Sequence, residues 1–518
     1  MIGSNTTEAH PVAALRMKEA VRKGATLVVA DPRAIWLTKI AKRHLQLRPG
    51  TDVWLLNAML HVILAEGLED ATYVAEHTEG IDEARAAVAA YTPEEAERVT
   101  GVPAEAIRAT AREYALEPNA AIFYTLGITE HVSGVDNVWA LANLVLATGH
   151  LGRRATGLYA MRGQNNVQGG VDAGANPHFL PGYHPVESAE HRARFAAAWN
   201  SELPETPGYR LDEMLGGAVR ALYLVGEDPA QTDPNAHHVE AGLAALDFLV
   251  MQDIFLNDTA RAHADVVFPA ACYAEKDGTF TNTERRVSRV RKAVEPPGEA
   301  RADWEITDAF ARALGADWPA YPTAEAVWDE FADLAPMWNG IRYDRLEENG
   351  IQWPCPDRSH PGTVFLHEGG PERGRGHFQP VAYQPPDELP DEEYPLTLST
   401  GRTLYHYNAA SMTRREAGIR DKLDAPFVEI NRADAGGIAE SGDVRITTRR
   451  GTLVAAARIG ERVPPGTIWM ALHFVEAKAN WLTNDAVDPR TGTGEYKVCA
   501  ARIEPIPESV TVAPVTGG

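Results

Sequence analysis

Cysteine is scarce: the 518 residues hold only Cys272, Cys355 and Cys499, and no two stand close enough to make a CxxC pair. No disulfide framework and no cysteine-ligated cluster can therefore be read from their spacing. Positive charge is also in deficit. Lys and Arg number 49 against 72 Asp and Glu, a formal charge of -23, so a phosphate backbone or an anionic membrane would be repelled by most of the surface. Nucleic acid is not an expected partner. No apolar run reaches the roughly 18 residues of a membrane span, and the opening MIGSNTTEAHP has neither a basic-then-apolar leader nor a twin arginine. A cytoplasmic protein without a membrane span is expected. HExxH, GxSxG and the P-loop are missing too, which leaves the stock hydrolase and kinase mechanisms without support.

What is present is enough apolar residue, 44%, to bury several cores, and the usual domain size makes three or four domains the expectation. The periodicity predicts a helix over Pro11 to Gly24, with Leu15, Ala20 and Val21 on one side, then a buried strand in ATLVVADPR, Ala25 to Arg33. A second helix, Val53 to Glu66, follows the turn at Pro49 to Asp52, and further apolar runs lie at Ala120 to Ile128 and Val138 to Ala147. Helices alternating with buried strands imply an α/β fold with mostly parallel sheets.

The pattern restarts after Gly182, with strands at Ala221 to Val225, Leu249 to Gln252 and Ala264 to Phe268. In such sheets ligands gather where carboxyl ends of strands meet loops, which is where Gly226, Asp228 and Asp253 fall; ordinary strand-to-helix turns would look the same. Pro354 to Glu392, rich in Pro, Gly, His and Asp, reads as a linker or draping loop. Beyond about residue 390, short alternating runs between Gly and Pro turns predict a closed or nearly closed β-barrel, and the residues after Pro507 read as disordered. The expected division is a first α/β unit over 1–164, a second over 165–276, a connecting segment over 277–390, a barrel over 391–507, and a tail over 508–518.

RGQNNVQGG, Arg162 to Gly170, sets one Arg, two Asn and two Gln among three Gly with almost no hydrophobe to anchor a core. A rigid charged fork beside amide donors suits a carboxylate or phosphate, and a solvated linker is the bland alternative. Ala274 to Val294 packs six basic residues into a short span, for which a free surface helix is the cheap explanation. Lys276, Asn282 and Arg285 could equally approach a cofactor or another domain. STGRTLYHYNAASMT, ANWLTNDAVDP and GEYKVCA add an Arg, a His, amides and a Lys to turns of the barrel. Together these loops suggest a long polyanionic ligand laid between domains.

The segments GSNTTEAHP, DPR, LRPGTD, LLNAM, RGQNNVQG, GEDPAQTD, QDIF, EKDGTFTNTERR, HPGT and EYKVCA occur in this order. In that order, from about residue 3 to 506, the chain resembles the catalytic subunits of molybdopterin-dependent formate dehydrogenases, in the dimethyl sulfoxide reductase superfamily. RGQNNVQG, GEDP and EKDGTFTNTERR point to the formate branch. The resemblance implies two Rossmann-like dinucleotide-binding units and a double-psi barrel holding two molybdopterin guanine dinucleotides around molybdenum or tungsten. It implies that Arg162 holds formate beside the metal, with Gln164 in the same loop. It assigns Asn5, Glu8, Asp31, Arg33, Gly50 and Asp52 to one dinucleotide, and Gly226, Asp228, Gln252, Asp253, Arg402, His406, Asn480 and Lys497 to contacts from the second unit and the barrel.

The resemblance departs at the front. The family's cluster-binding cysteines, a lysine in the electron path and a metal-ligating selenocysteine or cysteine beside a histidine all precede the GSN loop, and even the strand leading into that loop is missing. None of the three cysteines matches the metal ligand, so no metal ligand is assigned here and one is expected upstream of Met1, with the iron-sulfur cluster. The expected partners are formate and electron-transfer subunits of iron-sulfur, flavin or NAD type, and the chain alone is expected not to turn over formate. Another substrate of the same superfamily, or a non-catalytic cofactor-holding subunit, stands as the alternative.

Overall fold

The computed structural model describes residues 1–318 and 320–506, so the tail expected to be disordered lies outside the described residues. The chain folds into two compact units. One comprises Met1–Met161, Gln231–Val239 and the chain from Phe365 on; the other comprises Arg162–Ala230 and Glu240–Val364. Thus the first α/β region and the barrel, separate in a linear division, belong to one unit.

In the first unit, helix α1 (Pro11–Arg22) starts on a proline whose missing N–H costs nothing at that position, and it buries little besides Ala14. Strand β1 (Val28–Ala30) pairs in parallel with β2 (Arg43–Leu45). Helix α2 (Asp52–Ala65) is apolar around most of its circumference and is buried accordingly, with Leu55, Leu60 and Ile63 at 0–1% exposure. Strand β3 (Ala121–Tyr124) pairs in parallel with β4 (Gly157–Ala160), and between them runs α3 (Gly134–Thr148), which ends on the left-handed Gly149. Ile2 forms parallel bridges to both Ala30 and Tyr124, so a single residue joins the two strand pairs. The Ala25 to Arg33 strand shortens to three residues because Asp31 and Pro32 turn away at its end.

Gly3 follows at φ +55°, and a Cβ there would stand 2.7 Å from the Gly127 carbonyl carbon. The two main chains touch, and Gly127 N donates to Gly3 O at 3.2 Å. Gly3→Ala is expected to destabilise this unit by about 2–3 kcal/mol, from left-handed strain plus overlap with a backbone that cannot rotate aside. A melting curve checks this; an unchanged midpoint would mean that the loop moves freely.

The other unit contains β5 (Ala221–Val225), β6 (Phe248–Asp253) and β7 (Val266–Pro269), all parallel in the order β7-β6-β5. The basic stretch after Ala274 is not a helix. Gly278–Thr281 and Arg286–Val290 form an antiparallel hairpin, which Ile351–Gln352 extends. Its alternating Thr, Phe and Val fit a half-buried pleat, and Val287, fully buried, packs among Trp338, Ile341 and Trp353.

The barrel consists of β8 (Leu396–Gly401), β9 (Phe427–Asn431), β10 (Asp443–Thr447), β11 (Thr452–Gly460), β12 (Thr467–Ala471) and β13 (Cys499–Pro505). It closes in the order β8-β12-β9-β11-β10-β13, with parallel pairs β8–β12 and β9–β11. Closure leaves no strand edge exposed. Leu398, Val428, Ile446 and Ile468 fill the interior with Cys499, whose thiol burial pushes up to about 12, the behaviour of an inert core residue.

The draping segment before the barrel is firmly held. Gly376–His377 pairs with Thr78–Glu79, and Phe378 and Val381 enter the first α/β core. Asn57 Nδ2 donates to Val381 O at 2.9 Å, and Asn143 exchanges two hydrogen bonds with the Gln379 main chain. Among the described residues, no helix is long and apolar enough to cross a membrane.

Candidate functional site

Loops leaving the carboxyl ends of parallel strands gather donors that the strands cannot use, and Ile2, β1 and β3 send three such loops to one edge. Asn5 follows Ile2 there. Its Oδ1 accepts from Thr7, and its Nδ2 is buried without a hydrogen-bond partner. From β1, Arg33 is 6% exposed and engages Glu429 of β9 in a two-pronged pair at 2.6 and 2.7 Å, its guanidinium 3.6 Å above the Trp469 ring. Arg462 bridges Glu429 to Glu8 at 3.0 and 2.8 Å. Arg33 and Glu8, expected to face a ligand, thus meet in one ion network that ties the α/β core to the barrel.

Asp31 takes the Arg33 N–H at 2.9 Å, and burial raises its carboxyl above the usual range. Gly50 turns at φ +78° against Pro386, which puts Asp52 at the head of α2. Asp52 lies 3.9 Å from His131, which lies 3.8 Å from Glu495, and all three are buried. Burial opposes the His131 cation, but Glu495 and Asp52 together hold its pKa above the ordinary value. Lys497 pairs with Glu130 at 2.5 Å and donates to Thr400 O.

Burial pushes Asp52 from 3.8 up to about 6. A carboxyl raised on folding contributes its full stability below about pH 4 and loses it as pH rises through about 6, a cost of roughly 3 kcal/mol at neutral pH. Asp52→Asn is expected to recover part of this above pH 6, less the attraction lost to His131, and to flatten the profile between pH 4 and 6. Urea unfolding at pH 5 and pH 8 checks this; an equal change at both would remove burial as the cause.

At the barrel mouth, Arg402 donates to Asn408 Oδ1 at 3.0 Å. His406 is buried, with one ring nitrogen at 2.6 Å from Leu423 O and the other at 3.1 Å from Thr413 Oγ1, so it closes its own loop. Asn480 donates to Gln231 O and Thr232 O at 3.2 and 2.8 Å, stitching the barrel to Gln231–Val239. Sequence reasoning missed His473, which is fully buried and kept neutral by burial at about 4. It takes the Thr403 N–H at 2.8 Å and donates to Asn408 O at 2.5 Å. Gln231 Oε1 and Thr403 Oγ1 are buried without partners.

In the other unit, Gly226 ends β5 at φ +67° with open space beside it. Asp228 caps Thr259 through its N–H and hydroxyl, and Asp253 accepts from Phe255 N and Asn257 Nδ2. Burial raises the Asp253 carboxyl. Gln252 is fully buried and engaged by Tyr223 and Asp303. Lys276 also pairs with Asp303, while Asn282 and Arg285 build the hairpin turn.

Arg162 is exposed at the start of the RGQNNVQGG segment, and Gln164 is half-buried in the same turn. The hairpin straps this loop. Arg162 N donates to Thr283 Oγ1 at 3.1 Å, and Thr281 N donates to Asn166 Oδ1 at 2.9 Å. A Cβ on Gly169 would stand 2.2 Å from that oxygen, so only glycine permits the strap. Arg162 Nε donates to Gln168 Oε1 at 3.2 Å. The loop therefore presents a guanidinium on a rigid base.

The molybdopterin oxidoreductase family model matches residues 1–313, and the molybdopterin dinucleotide binding domain model matches residues 396–500. The F420-dependent formate dehydrogenase subunit alpha of Methanocaldococcus jannaschii is 45% identical over 514 residues, 98% of this chain and 76% of that one. Formate dehydrogenase H of Escherichia coli is 39% identical over 520 residues, 98% of this chain and 72% of that one. Acetylene hydratase from Pelobacter acetylenicus shares the fold, with a TM-score of 0.73 at 19% identity over 97% of this chain and 77% of that one. With family matches across both ends of the chain and identity of this depth along nearly all of it, the chain belongs to the molybdopterin oxidoreductases, among the formate dehydrogenase alpha subunits.

Proposed function

We propose that, in the complete complex, this chain oxidises formate to carbon dioxide, reversibly, releasing one proton and two electrons, and that electron-transfer subunits of iron-sulfur, flavin or NAD type receive the electrons. The observation that carries this reading is the Arg162 guanidinium, fixed at Nε by Gln168 on a loop strapped through Thr281 and Thr283. A planar charged fork held in place can orient a small carboxylate by two parallel hydrogen bonds and spare it the entropy of alignment. Gln164 would add an amide beside it.

The residues present fit a bis-molybdopterin guanine dinucleotide with molybdenum or tungsten. Buried atoms without partners, Asn5 Nδ2, Gln231 Oε1 and Thr403 Oγ1, each cost about 1–3 kcal/mol unless a ligand completes them. Carboxylates such as Asp31 and Asp52 complement the N–H edge of a guanine, while Lys497, Arg402 and the open turn at Gly226 suit phosphate oxygens. The two parallel α/β regions would serve as Rossmann-like cradles, and the barrel as a double-psi type. Once bound, the metallocofactor supplies the two-electron acceptor. The chain's own residues bind the carboxylate and orient it.

The test is the chain purified with its partner subunits, assayed for formate-dependent dye reduction alongside its metal and pterin content. About two pterin dinucleotides per metal with formate turnover is expected. A loaded complex inert to formate but active on nitrite or a sulfoxide would replace the substrate, and a complex without pterin would overturn the reading.

A further inference from the structure

Behind the Arg162 loop lies a closed hydrogen-bond network. Gln168, 8% exposed, donates through Nε2 to Asp172 Oδ1 at 2.8 Å and to the Tyr183 hydroxyl at 2.9 Å. The Tyr183 hydroxyl donates to the same Asp172 oxygen at 2.8 Å, and Trp353 Nε1 donates to the other at 2.9 Å. Asp172 is 2% exposed. It is a buried carboxylate that accepts from an amide, a phenol and an indole, all of them neutral groups.

The polarity of this network has one solution. The Trp353 indole N–H can only donate, so Asp172 must accept from it. Tyr183 gives its single proton to Asp172, and its oxygen therefore takes a Gln168 hydrogen. Both hydrogens of the Gln168 amide are then committed, and Oε1 is the end that faces Arg162 Nε. With the amide turned round, two N–H groups would confront the guanidinium N–H. Gln168 is thereby locked in the one orientation that attracts Arg162, and the Asp172 carboxylate bonded to its amide nitrogen polarises it as an acceptor.

We propose that Asp172, acting through Gln168 with Tyr183 and Trp353, is a positioning residue that fixes the plane of the Arg162 guanidinium for carboxylate binding. This rests on the reading of Arg162 as the formate anchor. Asp172 touches no substrate. Its removal frees Gln168 to turn, and the loss appears in the orientation of Arg162.

The experiment compares Asp172→Asn, Gln168→Met and Tyr183→Phe in the complete complex with its partner subunits, with rates taken per metal bound. An asparagine cannot accept at both edges, so Asp172→Asn meets either the Trp353 N–H or the Gln168 and Tyr183 donors with an N–H of its own. Formate KM and the inhibition constant of azide, a small monoanion, are expected to rise together, about tenfold for Asp172→Asn and Gln168→Met and about threefold for Tyr183→Phe. kcat per metal is expected to change less than KM, a split that simple loss of folded protein cannot produce. Both constants unchanged within about twofold, at normal metal content, would overturn the proposal. Should Asp172→Asn fail to accumulate, Gln168→Met and Tyr183→Phe, which keep the buried carboxylate, decide the question alone. Arg162→Lys separates the anchor from its support. If it leaves formate KM unchanged, the anchor itself is wrong; if it raises KM while the network variants do not, only the positioning role falls.

Discussion

Arg162→Lys in the complete complex is expected to raise formate KM by about two orders of magnitude, and Arg162→Ala by more. A lysine keeps the charge but replaces a planar fork with a point charge on a flexible stem, so it loses the paired hydrogen bonds and the alignment they impose. It also loses the Nε donor that holds Arg162 to Gln168. Misalignment by about an ångström costs roughly a hundredfold in rate, so kcat is expected to fall as well. Initial rates at varied formate, per metal bound, measure both constants. A KM within about threefold of the parent's in both variants would show that the carboxylate is anchored elsewhere.

Glu429→Gln is expected to produce the largest loss of stability. Glu429 sits between Arg33 and Arg462, and the side chains of the Arg33–Glu429 pair are 7% and 5% exposed. Neutralising the central carboxylate strands the Arg33 cation in a site sealed on one face by Trp469, at a cost of about 3–5 kcal/mol. For a unit of this size that corresponds to roughly 4 to 7 °C in the melting temperature. Calorimetry that resolves the transition of the barrel-containing unit reads it. The double variant Arg33→Met with Glu429→Met is expected to regain much of the loss, because a buried ion pair replaced whole by apolar groups is often neutral. Equal melting temperatures for parent and Glu429→Gln would mean that water reaches the pair.

Periodic elements were legible in the sequence because their cause is local. Ala221 to Val225 reads as a strand with the bounds it has, and the helix read as Val53 to Glu66 is Asp52–Ala65. The barrel's alternation marked it before any pairing was known. The hairpin at Gly278–Val290 was obscured by its charge, which drew attention away from the Thr and Val alternation beneath. Candidate loops were legible from their polar residues, but their partners were not. The ion pair of Arg33 was illegible because Glu429 is 396 residues away, and Asp172 was invisible as a network centre because Trp353 is 181 residues away. His473 carried no local signal at all, since it is one histidine beside a phenylalanine until the loop at Thr403 folds over it.

The discontinuity of the larger unit sets a schedule for synthesis. Its first part ends at Met161, and the barrel strand carrying Glu429, with Arg462 behind it, follows only after the other unit has been made. At ordinary elongation rates the stretch from Met161 to the last barrel strand takes roughly 20 to 70 s. For the greater part of that interval the nascent α/β core lacks Phe378, Val381 and the partner of Arg33, and displays the apolar surface they will cover. The α/β part of this unit therefore emerges early and is completed last, which makes it the part of the newborn chain most in need of a chaperone's cover.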